Sequence, residues 1–452
     1  MRLDLAVREC RVIVGEELVE ASIGVAEGKV VRVAKDPNLP RAEVEVKAKG
    51  LIALPGMVDL HVHLREPGFT WKEDFYTGTS AAACGGVTTV ADMPNTEPPT
   101  VTLSRLKEKA RLAKSKAVVD YVLYAGASPR HLGELEAMVR EGAGGIKVYM
   151  ATHSPELLVP RKQLGRVFME ASRIGALCLL HGEALEEVEE ALRSLPQGFK
   201  DPLLYAKARG PRIEAKGVKA ALKKAAESGV RLHLCHLSSA GSLKALLEAK
   251  RRGLKVTAET CPHYLLLTLN DLRRLKAYAK VDPPLRGWRH RRALWEALRR
   301  GLIDALATDH APHSREEREA AWRGYLEAPS GFAGVEIALP LMLTCVAQGL
   351  LSLSKLVELY SENPSRILGL HPVKGSLSGG ADADIALVSL SKEWRIKAEK
   401  LHSKCPETPF EGRAVKGAVE ATIVRGEVVA EEGEVKVKPG YGEMVRPGGR
   451  ML

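Results

Sequence analysis

A few short stretches of the chain carry side chains of the kind that bind metal ions. In "DLHVHL" (59–64), His61 and His63 stand two residues apart, a spacing that puts both imidazoles on one side of a strand. Lys147 sits in "GIKVYMA", His181 closes "ALCLLH", His236 lies in "VRLHLCHLS" and Asp309 in "DALATDHA". Taken singly, each has a structural reading: a hydrogen-bonded histidine, a snorkelling lysine, an aspartate capping a turn. Taken together, they fall at equivalent ends of successive apolar runs, which independent accidents do not explain. Imidazole and carboxylate are zinc ligands, but these histidines and the aspartate are too many for one tetrahedral ion with an open position. Two ions sharing a bridge would use them all. An ammonium repels divalent ions, so Lys147 fits such a site only as the carbamate formed when carbon dioxide adds to its neutral amine. Burial that lowers a lysine pKa favours that addition.

The elements that must position these groups read as parallel βα units. Candidate strands are 58–64, 87–93, 118–126, 145–151, 176–183, 230–238, 255–261 and 304–311, with amphipathic stretches such as "PRKQLGRVFMEASRIG" between them. That number of strands is what a closed TIM-type (β/α)8 barrel requires, and its carboxyl-end mouth is where such barrels carry chemistry. Residues 1–53 read instead as short alternating strands, and 369–452 return to the same texture after a helix start at Asn363-Pro364-Ser365. The expected organisation is a small β domain built from 1–53 and 369–452 around a metallohydrolase barrel of 54–368.

Composition removes several alternatives. At 452 residues and 45% hydrophobic, the chain can bury a large core. It shows neither a signal-peptide core nor a long apolar run, so a cytoplasmic protein without membrane attachment is expected. Its seven cysteines are scattered without a CxxC pair, which points to packing residues in a reducing compartment. The net charge of +11 is interleaved with glutamates, as in "RHRRALWEALRRG", and aromatics are only 5%, so a nucleic-acid partner is not expected.

The stretches "PGMVDLHVHLREPG", "KEDFYTGTSAAACGGVTTVADMPNTEPP", "GIKVYM", "ETCPHYLLLT", "VDPPLR", "TDHAPH", "NPSRILGL" and "KGSLSGGADADIALV" resemble, in order and along nearly the whole chain, the dihydroorotases of the cyclic amidohydrolase group. The resemblance implies two Zn2+ per subunit: one on His61, His63 and Asp309, the other on His181 and His236, bridged by N6-carboxylysine at Lys147 and a hydroxide. It implies substrate contacts from Arg65, Asn95 and His313, and from backbone near Gly331 in the 311–335 loop. Asp309 would act as general base and then acid. For Arg65 there is also a physical warrant, since a guanidinium fork reads a planar carboxylate through paired charge-assisted bonds. Its structural reading is an ion pair with Glu66 or Glu73. Asp282 stands where several relatives have Asn, and its charge would repel an anionic ligand unless paired elsewhere. His233 reads as packing, His263 and His313 as loop contributors to a pocket, while His290, His371 and His402 lack such context.

The implied reaction is the reversible cyclisation of N-carbamoyl-L-aspartate to L-dihydroorotate, a step of pyrimidine (UMP) synthesis. Hydantoinase and allantoinase activities compete with it, but their rings lack the carboxylate that Arg65 would hold. A non-catalytic barrel serving as scaffold for aspartate transcarbamoylase is a further alternative, and homo-oligomers and association with that enzyme are both open. Filled ligand positions argue against the scaffold.

Overall fold

A computed structural model describes residues 2–448. The barrel is built from strands Met57–Val62, Val87–Asp92, Asp120–Leu123 continued by Ala125–Gly126, Ile146–Tyr149, Leu177–His181, Arg231–Leu234, Val256–Thr260 and Ala305–Leu306. Neighbours pair in parallel in that order. Val62 pairs with His310, and the His63 N–H donates to the His310 carbonyl at 2.8 Å, closing the ring between first and last strands. Val87–Asp92 is buried at every position, as expected of parallel strands covered on both faces. The outer helices bury one stripe each: Leu164–Arg173 turns Leu164, Val167, Phe168 and Ala171 inward, at helical spacing.

Several strands stop short of the sequence expectation at their carboxyl ends. The run 230–238 leaves the ladder after Leu234, and 304–311 forms a continuous strand only over Ala305–Leu306, with a single bridge beyond it at His310. The reason is conformational: His236 (φ 39°) and Asp309 (φ 51°) turn into the left-handed region, which a strand cannot hold. The α-helix expected at Asn363-Pro364-Ser365 is present as Asn363–Leu368, but it continues an earlier helical segment rather than opening from a loop. Leu353–Val357 runs through a wide π-type turn, Glu358–Glu362, directly into Asn363–Leu368. Pro364 lacks an N–H, and a widened turn ahead of it suits a helix missing that bond.

Both chain ends build one nine-stranded sheet. Its seam pairs Ile52–Pro55 antiparallel to Ile385–Arg395, and its core mixes Val7, Ile23 and Val25 with Ile385 and Ile423. Where the strand segments after residue 380 meet barrel strand Asp120–Leu123, Lys374 is buried among Asp120, Asp382 and Asp384. Arg425 and Lys29 complete the pairing. No described helix is long and apolar enough to cross a membrane.

Candidate active site

The strand ends open into a cavity of about 930 Å³ that His61, His63, Lys147, His181, His236 and Asp309 line together with Arg65, Asn95, His313 and Gly331. Inside it, His63 Nε2 is 3.1 Å and His61 Nε2 3.4 Å from Asp309 Oδ1. His181 Nδ1 stands 3.0 Å from His236 Nε2. Lys147 Nζ adjoins the first group, 3.5 Å from His61 Nε2, and lies 3.1 Å from Cys235 Sγ. The imidazole rings of His61 and His236 are 5.3 Å apart, so the groups are neighbours within one site.

Asp59, two residues before the first histidine, explains how the mouth is held. Its Oδ1 accepts from the N–H of His61 and of Thr308, each at 3.1 Å, and its Oδ2 from the Tyr360 hydroxyl at 3.2 Å. One carboxylate thus locks the first strand to the last, with burial pushing its pKa up to about 6. Arg65 (φ 65°) joins His236 and Asp309 in the left-handed region. Each such non-glycine residue costs on the order of 1–3 kcal/mol, a cost that clusters at functional sites.

The charge states suit cation binding. Burial, reinforced by Arg65 and His61, holds His63 down to about 4, and burial with His181 holds His236 well below the ordinary range. Both are neutral near pH 7, with lone pairs to give. Burial opposes ionisation of Asp309, but His61, His63 and His236 outweigh it and keep the carboxylate charged. Burial and Lys147 oppose a proton on His61, yet Asp309 and Glu259 lift its pKa to about 10. The field that favours an imidazolium there favours a metal cation for the same reason.

The donor set fits a pair of divalent ions. The ligand atoms of His61, His63 and Asp309 all lie within 4.8 Å of one another. The His236 Nδ1 has no hydrogen-bond partner among the described residues, and His181 Nε2 only faces Glu183 at 3.2 Å outside hydrogen-bond geometry. Lys147 is fully buried, with a thiol and the face of Tyr149 beside it (5.0 Å to the ring centroid) rather than a carboxylate. A buried ammonium so placed is costly, and a carbamate would remove the positive charge.

Beside the metal-type ligands lies a basic wall. Arg65 is buried and donates to the Pro312 carbonyl at 3.3 Å; its Nη2 faces His313 Nε2 at 2.9 Å. Neither Glu66 nor Glu73 pairs with it: Glu66 takes Lys116, and Glu73 meets His310 and Ser403. Among the described residues it has no carboxylate within 4.0 Å. Asn95 Oδ1 lies 2.6 Å from His63 Nδ1, in position to accept its N–H, which leaves the Nδ2 donors of Asn95 for the cavity. Gly331 reaches the cavity with φ 122°, but its N–H already goes to the Lys280 carbonyl at 2.9 Å and its carbonyl accepts from Arg318 at 2.7 Å. Asp282 is paired, with Arg209 Nη1 at 3.2 Å and with the Tyr205 hydroxyl, so its charge is compensated.

The other histidines weighed in the sequence lie outside the cavity lining. His233 bonds Thr257 and Glu259 behind the barrel wall, and His263 packs its ring on Tyr264 and Phe332. His290 accepts from the Ala240 N–H at 3.1 Å, His402 pairs with Glu336, and His371 lies outside the cavity. Sequence reasoning overlooked Tyr149, Cys235, Glu259 and Lys280. Tyr149 had a signal, since it lies two residues after Lys147 and so on the same strand face. Cys235, counted with the packing cysteines, touches Lys147 instead; all seven cysteines are free.

Residues 52–429 match the Amidohydrolase family, and the chain belongs to it. It is 36% identical over 448 residues, 98% of either chain, to an L-hydantoinase of Paenarthrobacter aurescens. It is 36% identical over 457 residues to a dihydroorotase of Methanosarcina acetivorans, covering 99% of this chain and 96% of that one. An allantoinase of Deinococcus radiodurans is 35% identical over 455 residues, 99% of each. The solved L-hydantoinase (dihydropyrimidinase) from Arthrobacter aurescens superposes with a TM-score of 0.95 at 35% identity, covering 98% of this chain and 100% of that one. The chain falls in the cyclic amidohydrolase group, and similarity does not choose among its members.

Proposed function

We propose that this chain is a dihydroorotase, interconverting L-dihydroorotate and N-carbamoyl-L-aspartate. The observation that carries the choice within the group is Arg65: a buried guanidinium on the cavity wall, beside the candidate ligands, without a carboxylate partner of its own. A buried cation without a counter-charge is costly, and a carboxylate on the substrate would supply the missing partner.

His61, His63 and Asp309 would hold one divalent ion, zinc by donor type, and His181 and His236 another, with Lys147 bridging as a carbamate. That carbamate forms when the neutral Nζ attacks carbon dioxide, making an N–C bond and releasing one proton. Such ions, when bound, lower the pKa of water and polarise the amide carbonyl. The protein groups do the rest. Arg65, the Nδ2 of Asn95 and His313 grip the ring carboxylate and set the ring in one orientation. Asp309 takes a proton from the attacking water and returns it to the ring nitrogen as the C–N bond breaks. In the cyclising direction the same carboxylate runs the sequence backwards.

A second reading, hydrolysis of a hydantoin carrying an apolar substituent, has one observation in its favour: Leu185, Val188, Leu192 and Leu326 line the outer cavity. Turnover of dihydroorotate, a benzyl-substituted hydantoin and allantoin by one preparation separates the readings. Dihydroorotate is expected to be preferred, and Arg65→Met to lower kcat/KM for it by about 10²- to 10³-fold with metal content intact. Equal turnover of dihydroorotate by Arg65→Met contradicts the proposal.

A further inference from the structure

The centre of the site rests on a carboxylate that lines none of the cavity. Glu259 is fully buried in strand Val256–Thr260. Its Oε1 lies 2.6 Å from His61 Nδ1 and 3.2 Å from the backbone N of His236. Its Oε2 lies 3.0 Å from His233 Nε2, and His233 Nδ1 is 2.9 Å from Thr257 Oγ1. The simplest proton arrangement has Nδ1–H of His61, the His236 N–H and Nε2–H of His233 all donating to Glu259, with the Thr257 hydroxyl donating to His233. Only a carboxylate offers enough acceptor capacity for three donors with no donor of its own.

Two consequences follow for the ligand set. With its Nδ1 proton committed to Glu259, His61 presents the Nε2 lone pair, and Nε2 is the atom facing Asp309 and Lys147. His236 holds a left-handed backbone (φ 39°), and its N–H bond to Glu259 fixes the turn that sends its ring toward His181. His61 belongs to one candidate ion site and His236 to the other. We propose that Glu259 is a positioning residue for both ion sites at once, acting through the imidazole of His61 on one and through the backbone of His236 on the other, with His233 and Thr257 holding it in place. The inference rests on the two-ion reading above.

A carboxylate that orients one imidazole ligand is worth about 10- to 100-fold in metal affinity. Shared support predicts that one substitution weakens both ions, whereas a ligand-by-ligand role weakens one. The test uses full-length wild type and Glu259→Gln, stripped of metal and titrated with Zn2+ against a chromophoric chelator, with the melting temperature of the metal-free proteins measured alongside. In Glu259→Gln an amide NH2 faces donors, and both Zn2+ sites are expected to weaken by about 10- to 100-fold. Unchanged affinity at both sites, whatever happens to the melting temperature, overturns the inference, as does weakening at only one. A wild type that takes up no Zn2+ overturns the two-ion reading and this inference with it. A wild type that loads two ions beside an equally tight variant overturns this inference alone. If Glu259→Gln does not yield folded protein, His233→Gln carries the test by loosening only Oε2: a joint loss of several-fold at both sites supports the proposal, and unchanged affinity overturns it.

Discussion

Of two buried clusters of charged groups that this protein holds at the ends of its barrel strands and at its domain junction, only the second is complete. At the junction of barrel and small domain, Asp120, Asp382 and Asp384 face Lys374, Arg425 and Lys29, and each carboxylate meets a cation. The Arg425 N–H adds a bond to Asp384 at 2.9 Å, and the Glu443 N–H one to Asp120 at 3.0 Å. Three acidic residues within metal-binding distance of one another therefore need no ion. At the barrel mouth, among the described residues, Lys147 and Arg65 have no carboxylate partner and His236 keeps an unpartnered ring nitrogen. A cluster that closes on itself holds domains together. A cluster that leaves its charges open is built for something that arrives.

Substitutions break the comparison in opposite ways. His61→Ala is expected to lower turnover by about 10³-fold or more and to remove bound metal while the protein stays folded, as read by metal analysis and circular dichroism. Lys374→Met should do the reverse: it strands buried carboxylates at a cost of about 3–5 kcal/mol in stability, seen in denaturant unfolding, with metal content and kcat of the folded fraction unchanged. Metal loss from Lys374→Met would erase the distinction between the clusters.

Smaller effects sharpen it. The Tyr149 hydroxyl is buried on the cavity wall without a partner among the described residues. If it donates to bound substrate, Tyr149→Phe loses about tenfold in kcat/KM with metal affinity unchanged. Lys280, whose ammonium donates to the Tyr325 carbonyl at 2.9 Å and to Ala328, is held down to about 8 by burial, against the pull of Asp282. Above that pH the cavity wall loses a positive charge. The KM for an anionic substrate should rise by a few-fold as pH passes 8, and that step should vanish in Lys280→Met.

Much of the site is legible in the sequence because chemistry here is written at strand ends. His61, His63, His181, His236 and Asp309 fall at or near the ends of apolar runs and Lys147 within one, and the period of the βα units places them on one mouth. The pairing of the chain termini is legible in the shared strand texture on either side of the barrel. Other features depend on contacts that no local pattern encodes. Glu259 stands 198 residues from His61, and nothing in "TAETC" says which ring it will meet. Whether the charge of Asp282 is paired cannot be read from the sequence, since Arg209 reaches it only through the fold. The early ends of the strands follow from single left-handed residues, which hydrophobic alternation cannot reveal. Arg65 lies between these cases: its position after the histidines suggests a carboxylate anchor, but only the fold shows that Glu66 and Glu73 are engaged elsewhere.

The most direct test of the open cluster is the divalent-metal stoichiometry of the full-length protein after incubation with Zn2+ and bicarbonate, measured by inductively coupled plasma mass spectrometry. Two ions per chain are expected, falling in His181→Ala and unaltered in Lys374→Met. A wild type that binds none would contradict the reading of the barrel mouth as a metal centre.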